Sequence, residues 1–124
     1  MAARITELAL DCLDPPRLAR FWCEVLGYVV TSEAEDFIGI GPPEPADGQA
    51  PTMTFGPAAG PKREKLRLHI DLRPTDREQD AELDRLLALG ARHADVGQGE
   101  DVDWYVLADP EDNEFCLLRR RALP

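Results

Sequence analysis

Cationic side chains are scarce in this chain: 14 Lys and Arg stand against 24 Asp and Glu, a formal net charge of −10 over 124 residues. Affinity for a phosphate backbone or an anionic lipid surface comes mainly from Lys and Arg, so neither nucleic acid nor membrane is an expected partner. The one basic run, Arg119-Arg120-Arg121, is too short to reverse that. Cysteine is scarce as well. Cys12, Cys23 and Cys116 are an odd number without C-x-x-C spacing, which fits reduced thiols in a cytosol rather than a disulfide framework. No apolar run approaches the roughly 18–20 residues that a membrane helix needs. The first residues also lack the charged, apolar, small-residue order of an export signal, so the expected location is cytoplasmic. What is present is 44% hydrophobic residues in a length that suits one domain, 1–124.

A repeat organises that domain. Glu7-Leu-Ala-Leu-Asp-Cys-Leu-Asp14 and His69-Ile-Asp-Leu-Arg-Pro-Thr-Asp76 are alternating segments that end in aspartate, 62 residues apart. Each runs into a helical pattern closed by Leu-Gly, at Leu26-Gly27 and at Leu89-Gly90. In the first copy Asp14 is the expected N-cap and Pro15 the first helical residue. Leu18, Phe21, Trp22, Val25 and Leu26 form the buried stripe, and Gly27 is the left-handed stop. In the second, Asp76 is the expected cap, Gln79 completes a capping-box spacing, and Leu83, Leu86 and Leu87 make the stripe before Gly90.

Alternation and breakers predict strands at Ile5–Asp11, Tyr28–Thr31, Phe37–Ile40 and Met53–Phe55, then at Lys65–Arg73, Arg92–Ala94, Trp104–Ala108 and Glu114–Arg119. The fold class is therefore α+β, with two tandem βαβββ modules over about 4–56 and 65–119. One helix covers only one face of a four-stranded sheet, so the other face is left for a partner or a ligand. The Pro42–Pro51 loop, with Asp47-Gly48 as its turn, is the candidate lid.

Every second strand residue shares a face. Leu8, Leu10 and Cys12 should lie against the first helix, leaving Glu7, Ala9 and Asp11 on the open side. In the repeat, Leu66, Leu68, Ile70 and Leu72 form the apolar set, opposed by Arg67, His69, Asp71 and Arg73. The 62-residue offset makes Glu7 and His69 equivalent, and likewise Thr54 and Cys116. A carboxylate, a hydroxyl, an imidazole and a thiol suit a polar cavity better than a dry core. Each also has a plainer reading. His69 serves equally as a hydrogen-bonded structural histidine, Cys116 as a small buried hydrophobe and Glu7 as a solvated charge. Asp71 and Arg73 suit a surface ion pair, and Trp104, after the acidic Glu100, Asp101 and Asp103, is a candidate pocket wall.

The order strand–Asp–Pro–helix–Phe-Trp–Leu-Gly, the segment Leu68-His-Ile-Asp-Leu72 and the closing Trp104-Tyr-Val-Leu-Ala-Asp-Pro-Glu-Asp-Asn-Glu-Phe-Cys-Leu-Leu118 resemble the vicinal oxygen chelate superfamily. Within it they are most similar to glyoxalase-like domain proteins of the glyoxalase–bleomycin resistance protein–dioxygenase family. The resemblance implies paired modules in a U-shaped open barrel with helices on the outer face, completed in a homodimer. It also implies that metal ligands, where present, come from the positions of Glu7, Thr54, His69 and Cys116. Glyoxalase I carries His or Gln, Glu, His and Glu there, so this chain lacks a carboxylate at Thr54 and Cys116. The two-His, one-Glu pattern of an extradiol dioxygenase is also unmet.

Two functions follow. One is small-molecule binding in the concave sheet, with Thr54, His69, Asp71, Trp104 and Cys116 as ligand contacts and no metal. The other is a glyoxalase-like isomerase or lyase, with Glu7 and His69 as an acid/base pair or with zinc or a similar divalent ion on Glu7, His69 and Cys116. A Cys–His nucleophile lacks an orienting third residue. A purely structural dimer module remains as a third reading.

Overall fold

The computed structural model describes residues 2–44, 50–99 and 101–120. The chain divides into two compact units, 1–61 and 62–124. In the first, β1 (Glu7–Cys12) leads into α1 (Pro15–Leu26), then β2 (Val29–Glu33), β3 (Ile38–Gly41) and β4 (Thr52–Pro57). In the second, β5 (Ile70–Leu72) leads into α2 (Gln79–Leu89), then β6 (Arg92–His93), β7 (Tyr105–Ala108) and β8 (Glu114–Leu117). The sheet orders are β1-β4-β3-β2 and β5-β8-β7-β6, so the same βαβββ topology occurs twice. In each sheet the first and last strands of the module pair in parallel and the other neighbours antiparallel. Neither sheet closes on itself.

The first module forms as its punctuation predicts. Asp14 accepts a hydrogen bond from the Arg17 N–H at 3.2 Å, Pro15 opens α1, and Gly27 closes it at φ 69°. The α1 stripe of Leu18, Phe21, Trp22 and Val25 is buried, as are Cys12, Ile40, Met53 and Phe55 of the sheet. Phe21 and Trp22 meet edge to face at 5.4 Å. Complete burial of side chains such as Phe55 and Leu18 is worth about 1.5–3 kcal/mol each, which makes this stripe the main support of the module.

The second module departs from expectation at two places. Helix α2 begins at Gln79 with Glu78 at the cap position and no side-chain cap bond. Asp76 does not cap it, because its carboxylate takes the Arg77 guanidinium at 2.9 and 3.2 Å. Gln79 likewise spends its side-chain amide on the carbonyls of Asp103 and Leu117. The strand expected over Lys65–Arg73 shortens to β5. The Leu66 N–H donates instead to both Glu114 carboxylate oxygens, at 3.2 and 3.3 Å, which takes a backbone donor out of any ladder there. Leu68, expected on the buried face, is 73% exposed. Around these departures Leu86, Leu107, Phe115 and Leu117 are fully buried.

The closing motif has a structural cause. Asp109, fully buried between β7 and β8, accepts hydrogen bonds from the backbone N–H groups of Glu111 and Asn113 and from the Asn113 side-chain amide. Asp112 takes the left-handed conformation there at φ 68°. The turn delivers Glu114 and Cys116 to one face of β8. The Asp47-Gly48 turn of the candidate lid and the acidic Glu100 lie outside the described residues.

Candidate functional site

Register decides which side chains share a face. In the first sheet Glu7 pairs with Thr52, Ala9 with Thr54 and Asp11 with Gly56, while Thr54 also pairs with Gly39. Glu7 and Thr54 therefore lie on the same face, away from Leu8, Leu10, Met53 and Phe55, one pair apart along the ladder. Glu7 is exposed and Thr54 half-buried.

In the second sheet Asp71 is the direct partner of Cys116, which also pairs with Val106, while Glu114 pairs with Ala108. The Asp71 carboxylate thus lies on the strand position next to the Cys116 thiol. Burial pushes this thiol up from its ordinary value, the neighbouring Asp71 carboxylate pushes it further, and Lys65 only partly opposes them. A thiol held protonated in this way is a poor nucleophile and a poor metal ligand. Arg73, opposite in sign to Asp71 and two residues on, does not pair with it: its guanidinium donates to the Arg119 carbonyl at 2.8 Å.

His69 is half-buried just ahead of β5, with Nε2 3.1 Å from the Leu66 carbonyl. A carbonyl only accepts, so Nε2 carries the hydrogen and Nδ1 is left as the ring's accepting nitrogen in the neutral form. Trp104 sits immediately before β7, 38% exposed.

The same side of the second sheet carries groups that sequence reasoning missed. Glu114 is 7% exposed and holds Lys62 at 2.9 Å. Burial raises its carboxyl, but the Lys62 ammonium and the Leu66 N–H together outweigh that and leave it below the usual carboxylate value. Beside it lies a cavity of about 310 Å³, bordered by Lys62, Lys65, Arg92, His93, Asp112 and Glu114. Arg92 and Asp112 form an ion pair on its rim. The volume falls at the lower end of the roughly 300–1,000 Å³ usual for ligand pockets. None of Glu7, Thr54, His69, Asp71, Trp104 and Cys116 borders it. One signal for Glu114 was available, since the 62-residue offset that relates Thr54 to Cys116 also relates Thr52 to Glu114. Lys62 and Lys65 carried no such signal, because the segment holding them reads as a linker and the start of a strand.

Of the four positions that the resemblance implies as metal ligands, Thr54 and Cys116 are poor donors, while Glu7 is an exposed carboxylate and His69 keeps Nδ1 as an accepting nitrogen. Thr54 is a neutral hydroxyl, and burial and the Asp71 charge disfavour the Cys116 thiolate that a metal needs. Among the described residues no group of three or more His, Cys, Asp and Glu is placed to hold an ion.

Solved structures similar to this one share its fold at low identity. A glyoxalase/bleomycin resistance protein/dioxygenase family enzyme from Burkholderia phytofirmans PsJN is 18% identical, with TM-score 0.67 over 93% of this chain and 97% of that one. The fosfomycin resistance protein FosX from Mesorhizobium loti is 15% identical, with TM-score 0.69 over 99% and 96%. A variant of FosX from Listeria monocytogenes, complexed with Mn(II) and 1S,2S-dihydroxypropylphosphonic acid, is 14% identical, with TM-score 0.73 over 98% and 93%. A comparison with curated proteins gave no significant match. The glyoxalase-like domain family model matches residues 7–118. Nearly the whole chain, both βαβββ modules included, thus answers to one family description, and the chain belongs to the glyoxalase-like domain family.

Proposed function

We propose that this protein binds a small organic molecule against the open faces of its sheets, without a resident metal. Family membership supports small-molecule binding in general. The observation that carries the reading is the contrast between the two faces of the second sheet. One face seals Leu107, Phe115 and Leu117 in the core, while the other presents Asp71, Cys116 and Glu114 and borders the cavity of about 310 Å³. Desolvating ionisable groups costs free energy, and a wall that carries them suits a polar ligand better than apolar packing. In this reading Lys65 borders the cavity, and His69, Asp71, Trp104 and Cys116, outside its border, contact the part of the ligand that extends along the second sheet.

The reading includes a homodimer, supported by the exposed Val29 and Val30 on β2, an edge strand of the first sheet. It also includes a cytoplasmic setting, supported by three free cysteines.

The test is a thermal-shift screen of small aromatic and polar compounds, repeated on Lys65→Ala and Trp104→Phe. Both residues are exposed, so the variants should fold. Compounds that stabilise the wild type should lose part of their effect in at least one variant. Failure of every compound to stabilise, or hits indifferent to both substitutions, overturns the reading.

A further inference from the structure

We infer that the first module carries a recognition site for a small organic cation, built on the row Asp11–Gly56–Phe37 of its open sheet face. It stands on first-module residues alone and holds whether or not the cavity of the second module takes a ligand.

Strand β1 brings Asp11 beside Gly56 of β4, and β3 pairs Ile38 with Phe55, so Phe37 enters the sheet on the far side of Gly56. Gly56 leaves a notch in which the Phe37 ring lies. A Cβ at position 56 would stand 2.9 Å from Cε1 and 3.2 Å from Cζ of that ring. The ring leans across the glycine toward β1, yet 53% of the residue remains exposed. Among the described residues only Ile5, Leu13 and Leu68 are more exposed large hydrophobics. Around the row the face carries Ala9, Gly39 and Thr54, with the Ser32 hydroxyl lying over Gly39 and Glu7, Thr52 and Val29 farther along. The result is a shallow trough with a carboxylate on one side and an aromatic ring on the other.

Asp11 and Glu7 are both exposed on β1, and among the described residues neither has a hydrogen-bond or ion-pair partner. Their charge is open to a ligand. An aromatic face opposite an unpaired carboxylate is the arrangement that attracts an ammonium group, by cation–π and Coulomb attraction together. Neighbouring strands lie about 4.8 Å apart. With the Phe37 ring lying over Gly56, the space for one alkylammonium group is on the exposed side of that ring, toward Asp11 on the next strand. The net charge of −10 draws cations toward the surface at large.

The probe is choline, compared with its neutral carbon isostere in which a tert-butyl group replaces the trimethylammonium. Backbone amide NMR of the full chain follows the titration and reports folding at the same time. Choline should shift the Asp11, Gly39 and Gly56 amides saturably. The isostere should bind at least about fivefold more weakly, and Phe37→Leu and Asp11→Asn should each weaken choline by about two- to fivefold. Equal binding of choline and isostere overturns the inference, as do variants that keep the amide spectrum and bind choline like the wild type. Sedimentation velocity supplies the remaining arm: conversion of a dimer to monomers by Phe37→Leu would give this face to a second copy of the chain and overturn the cation site.

Discussion

At the scale of single residues, Cys116 shows how a chemically suggestive side chain can be disarmed by its neighbour. The resemblance implies a ligand position there, but the Asp71 carboxylate, directly across the parallel ladder, disfavours the thiolate. Burial is the larger cause of the raised thiol value and Asp71 the second. Asp71→Asn should therefore lower the Cys116 value while leaving it above that of a free thiol. Each unit of lowering raises the thiolate fraction about tenfold at neutral pH. Peptide-mapped alkylation with iodoacetamide checks this: Cys116 should react faster in the variant, with Cys12 unchanged. An unchanged Cys116 rate would mean that Asp71 does not control the thiol. The pairing was half legible in the sequence. The alternation places Asp71 and Cys116 on open faces of their strands, but which β5 residue stands opposite Cys116 depends on register, and no local pattern specifies that.

Among the elements, the two helices differ in how they start. Asp14 caps α1 with a real hydrogen bond, whereas Asp76, at the equivalent place in the repeat, is turned toward Arg77. Asp14→Ala should cost about 1 kcal/mol. Asp76→Ala, which removes an exposed ion pair and no cap, should stay within about 0.5 kcal/mol. Urea denaturation of the two variants measures the contrast, and equal costs would show that the helix starts are equivalent after all. The α1 boundaries were legible because Asp-Pro, the apolar stripe and Gly27 all agree. At α2 a guanidinium next door competes for the capping carboxylate, and Arg77 gives no sign in the sequence of which way Asp76 will turn. Strand β5 is short for a similar reason, since the Glu114 carboxylate, 48 residues downstream, claims the Leu66 N–H.

For the whole molecule, Glu114 ties the chain that enters the second module to the strand that ends it. Its carboxyl lies below its ordinary value near 4.5 in the folded state, so its contribution to stability is complete above that value and fades as pH falls through the folded value. Lys62→Met leaves the carboxylate buried without its ammonium and should cost about 1–3 kcal/mol at neutral pH. Protonation relieves that penalty, so the gap between wild type and variant should narrow as pH is lowered toward about 3.5. Denaturant midpoints across that range test the sign, and a gap that widens on acidification would refute it. The amino-acid sequence by itself determined the doubled βαβββ plan, the α1 core stripe and the alternation that separates a sealed face from an open one. Helical and strand periods and Asp-Pro and Leu-Gly punctuation are local, so they survive in one dimension. Tertiary structure alone decided that Glu114 closes over Lys62 and Leu66, that Asp71 meets Cys116, and that Phe37 lies across Gly56 toward Asp11. Each of these depends on strand register and on competition for a donor or a charge between residues far apart in the chain, and both are settled only when the strands are laid side by side.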